Sequence, residues 1–176
     1  MARVERAMDV AVHPCELDDA ALLAGCDVRR QRRSGPGGQR RNKVETGVFV
    51  THRDSGATAQ ATEARSQQVN MRQALFRLRL ELARGVRCRR GESPSPRWCA
   101  RTAGGKIRVS TTHDDFPALL AEALDVLTEA EFDVPTAAQR LAVTGSQLVR
   151  LLGQDPQALE AVNRERAARG LRTLVR

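Results

Sequence analysis

The sequence predicts an α+β fold: a small β-sheet with one long packing helix, followed by an all-α helical C-terminal domain with a helix-turn-helix-like pattern. Three observations carry this. Strand-like alternation and turn residues fill the stretch from Cys26 to Thr62. From Ser66 the period becomes helical, with Met71, Leu75, Leu78 and Leu82 on one face. Beyond Thr112 apolar residues recur at helical spacing, as at Phe116, Leu119, Leu120, Ala123, Leu124 and Leu127.

Glu16 to Ala24 reads as a short helix closed by Gly25, the residue type that accepts a left-handed turn. Cys26 to Arg32 then alternates as a strand through Cys26 and Val28. Thr46 to Thr51 is a second strand, Arg53-Asp54-Ser55-Gly56 a turn, and Ala57 to Thr62 the returning antiparallel partner. On the long helix Asn70, Gln73, Arg77, Glu81 and Arg84 are placed opposite the apolar stripe. Residues 1–86 thus form one α+β domain. Residues 87–112 break all periodicity, with Ser93-Pro94-Ser95-Pro96, Gly104-Gly105 and several arginines, and are expected to be a basic linker or arm. A short strand within Lys106–Ser110 is the one element considered there.

Residues 113–176 are expected to be a helical domain. Pro135 follows Asp133 and Val134 at a helix start, where its missing N–H costs nothing. Thr144 with Gln147 reads as a capping box, and Asp155-Pro156 opens the last helix. Ala137, Ala138, Leu141, Val143, Leu148 and Leu151 match the apolar positions of a helix-turn-helix, with Ala142 where glycine is common. Two readings stand: that motif, exposing Ser146, Gln147 and Arg150 to nucleic acid, or a plain helical bundle.

Aromatic residues make up 3% of the chain, so the core must rest on leucine, valine and alanine. No apolar run approaches the roughly 18 residues a membrane span needs, and Met1 to Glu5 does not lead into a signal sequence. A cytoplasmic protein without membrane contact is expected. Cys15, Cys26, Cys88 and Cys99 lack paired zinc-ligand spacing, so reduced thiols and no metal are expected, a convergence of Cys88, Cys99 and His113 being the weak alternative. The formal charge of +8 points instead to a polyanionic partner. Lysine occurs only at Lys43 and Lys106, so the charge is nearly all arginine, whose planar fork suits phosphate. It crowds into one segment at Arg29, Arg30, Arg32 and Arg33, then Arg40 and Arg41, which points to nucleic acid.

Between those clusters lies Gly35-Pro36-Gly37-Gly38-Gln39. Asn42-Lys43-Val44-Glu45-Thr46 follows, then Thr51-His52, Ser55-Gly56, and Arg65-Ser66-Gln67 with Asn70 beyond. This ordered string, over roughly residues 14–84, resembles the GGQ catalytic domain of the class-I peptide chain release factors and their stop-codon-independent ribosome-rescue relatives. The residues themselves fit such a role. The glycines leave a slim backbone with free φ angles, able to enter a narrow site, and Pro36 restricts the unbound loop. A plain glycine turn between strands needs neither three glycines nor flanking arginines, and a phosphate-binding loop would continue into Gly-Lys-Ser/Thr, which is absent here.

The resemblance implies hydrolysis of the ester joining nascent peptide to tRNA on the ribosome, with Gly37, Gly38 and Gln39 as catalytic residues. A glutamine amide does not ionise near neutral pH, so Gln39 positions water while its backbone N–H donates to developing charge. Gly35, Pro36, Asn42 and Lys43 support the loop; Arg29, Arg30, Arg32, Arg33, Arg40, Arg41, Arg65, Ser66 and Gln67 bind RNA. The implied partners are large-subunit rRNA and P-site peptidyl-tRNA, with the small subunit or mRNA channel open to the C-terminal domain; no cofactor is implied, and a monomer is expected. Two departures stand out. Arg40 and Arg41 replace small or apolar residues, and no codon-reading domain is recognisable, so codon-independent release is expected. Ser93-Pro94-Ser95 matches a codon-reading tripeptide only superficially. His52 is left out of the site, as a strand-end packing residue. The alternatives are a non-catalytic ribosome- or rRNA-binding protein that kept the fold and, on the helical module alone, a DNA-binding regulator.

Overall fold

The computed structural model describes residues 7–8, 12–31 and 46–175. In chain order come strand β1 (Ala7–Met8), a 3-10 turn at Pro14–Glu16, helix α1 (Asp19–Ala24), and strands β2 (Cys26–Gln31), β3 (Gly47–His52) and β4 (Thr58–Ala61). Helix α2 (Gln67–Gly85) follows, then β5 (Arg87–Cys88), α3 (Pro96–Arg101), β6 (Thr102–Ala103) and β7 (Lys106–Ile107). Helices α4 (Phe116–Glu129), α5 (Val134–Arg140), α6 (Gly145–Leu152) and α7 (Pro156–Ala168) come last. The chain divides into two units: Pro14–Gly85, and Val86–Arg176 with the segment through His13.

The first unit is a mixed α/β layer pair. Its antiparallel sheet has the order β2-β3-β4, and α2 packs over β3 and β4. Val48, Val50 and Ala61 of the sheet are buried with Ala74, Leu75, Leu78 and Leu82 of the helix. Truncating one of those leucines would cost about 2–5 kcal/mol. Arg79 fastens the N-terminal edge, its Nη1 donating to the carbonyls of Cys15 (2.7 Å) and Leu17 (2.5 Å) and its Nη2 to Asp19 (2.8 Å). The expected turn joins β3 to β4, with Gly56 at φ 68° and its N–H donating to His52 O.

Three details differ from expectation. The first helix begins at Asp19, capped by the Asp18 carboxylate, while Pro14–Glu16 is a separate 3-10 turn. Gly25 sits at φ −87°, not in the left-handed region. Its N–H closes a tight turn on Leu22 O, and an added Cβ would lie 3.4 Å from the His52 ring. In β2 only Cys26 is buried and Val28 is exposed, because β2 is the edge strand and α2 covers its neighbours.

The second unit overturns the reading of 87–112 as a linker. Trp98 on α3 is fully buried, and its indole N–H donates to Leu141 O at 2.8 Å. Ser95 caps α3 through its hydroxyl, while its own N–H and hydroxyl donate to the buried Glu122 carboxylate (2.7 and 2.6 Å). A second buried carboxylate, Asp125, accepts from Arg87, Arg90 and the Cys88 N–H. Burial pushes the Asp125 carboxyl above the usual range, against the downward pull of the two guanidinium groups. Strands β6 and β7 form a hairpin through Gly104 (φ 55°) and Gly105 (φ 72°). β7 is shorter than the stretch considered from sequence.

Helices α4 to α7 bury Phe116, Leu119, Leu120, Leu127, Leu148, Leu151 and Leu152. Thr144 caps α6 at Gln147 N, but its own N–H bonds Gly105 O (3.2 Å). Ala142, in the turn between α5 and α6, takes φ 52°. The basic C-terminus is helical only to Ala168. Arg169 stacks 4.4 Å over Phe132, Arg166 bonds Phe132 O, and Leu174 pairs with Asn163 through two hydrogen bonds.

Candidate functional site

The loop Gly35-Pro36-Gly37-Gly38-Gln39, with Arg32, Arg33, Arg40, Arg41, Asn42 and Lys43, lies outside the described residues. The structure describes the stem that carries it. β2 and β3 pair antiparallel down to Gln31↔Gly47, so the loop leaves and re-enters the sheet at adjacent strand ends. The stem is tight there: a Cβ on Gly47 would meet Gln31 O at 3.1 Å and Thr62 Cγ2 at 3.2 Å.

Asn70 anchors the returning side. It was expected on the polar face of α2, yet it is completely buried. Its amide donates to Thr46 O (2.6 Å) and Ala64 O (3.0 Å) and accepts from Ala64 N (2.9 Å). Thr46 is the first described residue after the loop. The amide therefore ties the loop's exit and the β4–α2 connection to one rigid helix. A signal for this was present, because Asn70 lies four residues before Ala74 and eight before Leu78, both buried on α2. Met71, assigned to the buried stripe, is only half-buried.

Arg29 and Arg30 are exposed on β2 near the stem, opposite Phe49 and Val48. Arg29 lines an open cleft of about 770 Å³ shared with Arg77 and Arg84 of α2. Those two helix arginines are already engaged, Arg77 by Glu63 (2.9 Å) and Arg84 by Glu81 (2.6 Å). Arg65 and Ser66 are exposed just before α2; Ser66 accepts from Val69 N and Asn70 N, so it caps the helix, and Gln67 opens it.

His52 is buried at the far end of β3 from the loop, its Nδ1 against Ser55 Oγ (2.9 Å). Burial holds its imidazole below the ordinary range, with Asp54 raising it and Arg53 lowering it. It organises the turn. Among the described residues no three His, Cys, Asp or Glu side chains come together as a metal site, and no helix is long and apolar enough to cross a membrane.

Residues 24–114 match the family model of the RF-1 domain. The chain is 46% identical over 56 residues to peptide chain release factor PrfB1, chloroplastic, of Arabidopsis thaliana, covering 32% of this chain and 12% of that protein. It is 37% identical over 79 residues to peptide chain release factor 2 of Haemophilus ducreyi (45% and 19%), and 34% over 87 residues to peptide chain release factor 1 of Leptothrix cholodnii (49% and 22%). The chain thus spans less than a quarter of the length of these relatives. No solved structure matches it.

Proposed function

The chain belongs to the RF-1 domain family, and from that premise we propose that it is a peptidyl-tRNA hydrolase releasing nascent peptide on the ribosome, independently of the codon. The observation that carries this reading is the intact Gly37-Gly38-Gln39 within the matched region, set on a stem that Asn70 and Gly47 hold. The slim glycine backbone enters the site, with Gly35, Pro36, Asn42 and Lys43 shaping the loop. The Gln39 amide orients water against the ester, and its backbone N–H stabilises the oxygen that gains charge. Arg29, Arg30, Arg32, Arg33, Arg40 and Arg41 hold rRNA and tRNA phosphates beside the loop, and Arg65, Ser66 and Gln67 extend that contact.

Codon independence is supported by the fate of the one tripeptide that looks like a codon reader. Ser95 of Ser93-Pro94-Ser95 is committed to capping α3 and to the buried Glu122 carboxylate. Helix α5, its turn and helix α6 are read as a helix-turn-helix in an otherwise helical C-terminal domain. Ala142 takes φ 52° in the turn where that motif commonly has glycine, although Glu131 and Phe132 between α4 and α5 are left-handed too. We place the activity in the cytoplasm, on the ribosome.

The test is release of labelled peptide from purified stalled ribosomes with a stop codon, a sense codon or no codon in the vacant site. Similar rates in all three are expected. Gly38→Ala should lower release at least 100-fold while ribosome binding persists, if positioning supplies about 3 kcal/mol. Gln39→Ala should fall less, since its backbone N–H remains. Release by Gly38→Ala at the wild-type rate would leave a ribosome-binding protein without hydrolysis, and strong stop-codon dependence would remove the rescue reading.

A further inference from the structure

In the second unit the β6–β7 hairpin and α6 wall a cleft of about 400 Å³. On one side, Lys106 and Arg108 are exposed while Ile107 between them is buried, as the period of an extended chain dictates. On the other, Gln147 and Arg150 share one face of α6 and Gln154 lies in the turn just past its end, with Arg150 exposed. No carboxylate lines the cleft. None of its three cations makes an ion pair or a side-chain hydrogen bond among the described residues, although most other arginines of this unit are engaged.

Both walls are fixed. Thr144 N, at the cap of α6, donates to Gly105 O at the hairpin turn (3.2 Å), and Arg108 N donates to Arg101 O (2.9 Å). Holding three like charges around one cleft, with no acid between them, is unfavourable without an anion. We propose that this cleft binds the backbone of single-stranded RNA. Lys106, Arg108 and Arg150 take successive phosphates. The Gln147 and Gln154 amides, which both donate and accept, meet ribose hydroxyls, the group that separates RNA from DNA. No aromatic side chain lines the cleft, so bases are not stacked and binding follows the backbone without sequence preference. The face of α6 that carries Gln147 and Arg150 is turned toward the hairpin, which suits a threaded strand and not insertion into a duplex groove.

The inference does not rest on hydrolysis, and its test separates it from the arginines beside the catalytic loop. Fluorescence anisotropy of the full chain with a labelled 15-nucleotide oligo-U RNA is measured across a potassium chloride series. The chains compared are wild type, the quadruple Arg29, Arg30, Arg32 and Arg33→Gln variant, and that variant with Lys106→Gln, Arg108→Gln and Arg150→Gln added. Three phosphate contacts to a single strand predict that the added changes flatten the logarithmic salt slope by about 2. Extrapolated from 1 M to 0.1 M salt, that slope amounts to roughly a 100-fold loss of affinity. Circular dichroism should stay unchanged, since all three residues are exposed. Gln147→Ala with Gln154→Ala should reduce the preference for oligo-U over oligo-dT. Unchanged affinity and slope on removing the three cations would overturn the proposal. Tighter binding of a 15-base-pair DNA duplex than of the RNA would overturn its choice of occupant.

Discussion

Replacing Asn70 tests whether the stem holds the loop. The side chain is wholly buried and makes three hydrogen bonds, to Thr46 O, Ala64 O and Ala64 N. Each is worth about 0.5–1.5 kcal/mol net, and backbone groups left without a partner cost more. Asn70→Ala should therefore lose about 3 kcal/mol, a large part of a typical 5–15 kcal/mol stability. With a urea slope near 2 kcal/mol/M, the unfolding midpoint falls by about 1.5 M. Asn70→Asp is the sharper probe, because it keeps the shape and the acceptor for Ala64 N but sets an oxygen against two carbonyls. It should be at least as damaging at neutral pH and recover in part in acid, where protonation restores one donor. In the release assay, ribosome-bound Asn70→Ala should turn over more slowly than wild type, because Thr46 no longer fixes where the loop returns to the sheet. A midpoint within about 0.3 M of wild type would refute the clamp. A lowered midpoint with unchanged release per bound protein would confine Asn70 to stability.

Three further outcomes are expected. Ala142→Gly should raise stability by about 0.5–1 kcal/mol in urea unfolding, because the left-handed φ of 52° strains alanine by more than glycine loses in chain entropy. Asp125→Asn should cost about 3 kcal/mol, since the carboxylate charge that Arg87 and Arg90, with side chains only 10% and 14% exposed, both face is removed. His52 should give an acid-sensitive component: its folded-state proton affinity lies below the ordinary value of 6.5, so the unfolded chain binds the proton first as pH falls. Stability present above about pH 6.5 is then lost as pH drops through the lower folded value, and His52→Asn should flatten that decline between pH 7.5 and 5.

The first unit was legible where local period and tertiary burial agree. Val48 and Val50 alternate on β3, Leu75, Leu78 and Leu82 recur on α2, and Arg53–Gly56 has the chemistry of its turn. The segment 87–112 was not legible, for a physical reason. Its strands span two residues each and α3 six, too short for any period to emerge. What orders them is remote: the Trp98 indole reaches Leu141, and Ser95 reaches Glu122. Proline, serine and arginine report only that no long element forms there. The family resemblance of Gly35–Gln39 was visible because that motif is written in consecutive residues. Of the stem's support only the burial of Asn70 was signalled, by its phase with Ala74 and Leu78; its partner Thr46 lies 24 positions away.

The buried polar residues missed from sequence share a pattern. Asn70 belongs to the buried face of α2, and Glu122 and Asp125 to α4, which is buried all round from Phe116 to Leu127. Each satisfies backbone N–H or C=O groups of a short or irregular segment: 46 and 64 for Asn70, 95 for Glu122, and 88, in the two-residue strand β5, for Asp125. The physics requires such a residue. A segment with little or no ladder of its own must still have its buried backbone groups paired, and a side chain projecting from a rigid neighbour supplies the partner at little cost in order. Polarity alone would move all three to the solvent face. The spacing of Asn70 does not, because it shares its stripe with Ala74 and Leu78, and on α4 there is no solvent face between Phe116 and Leu127. On α2 the polar residue in phase with small apolar ones thus marks where Thr46 and Ala64 are seated. In this chain one such residue, Asn70, holds Thr46, the first described residue after Gly35–Gln39.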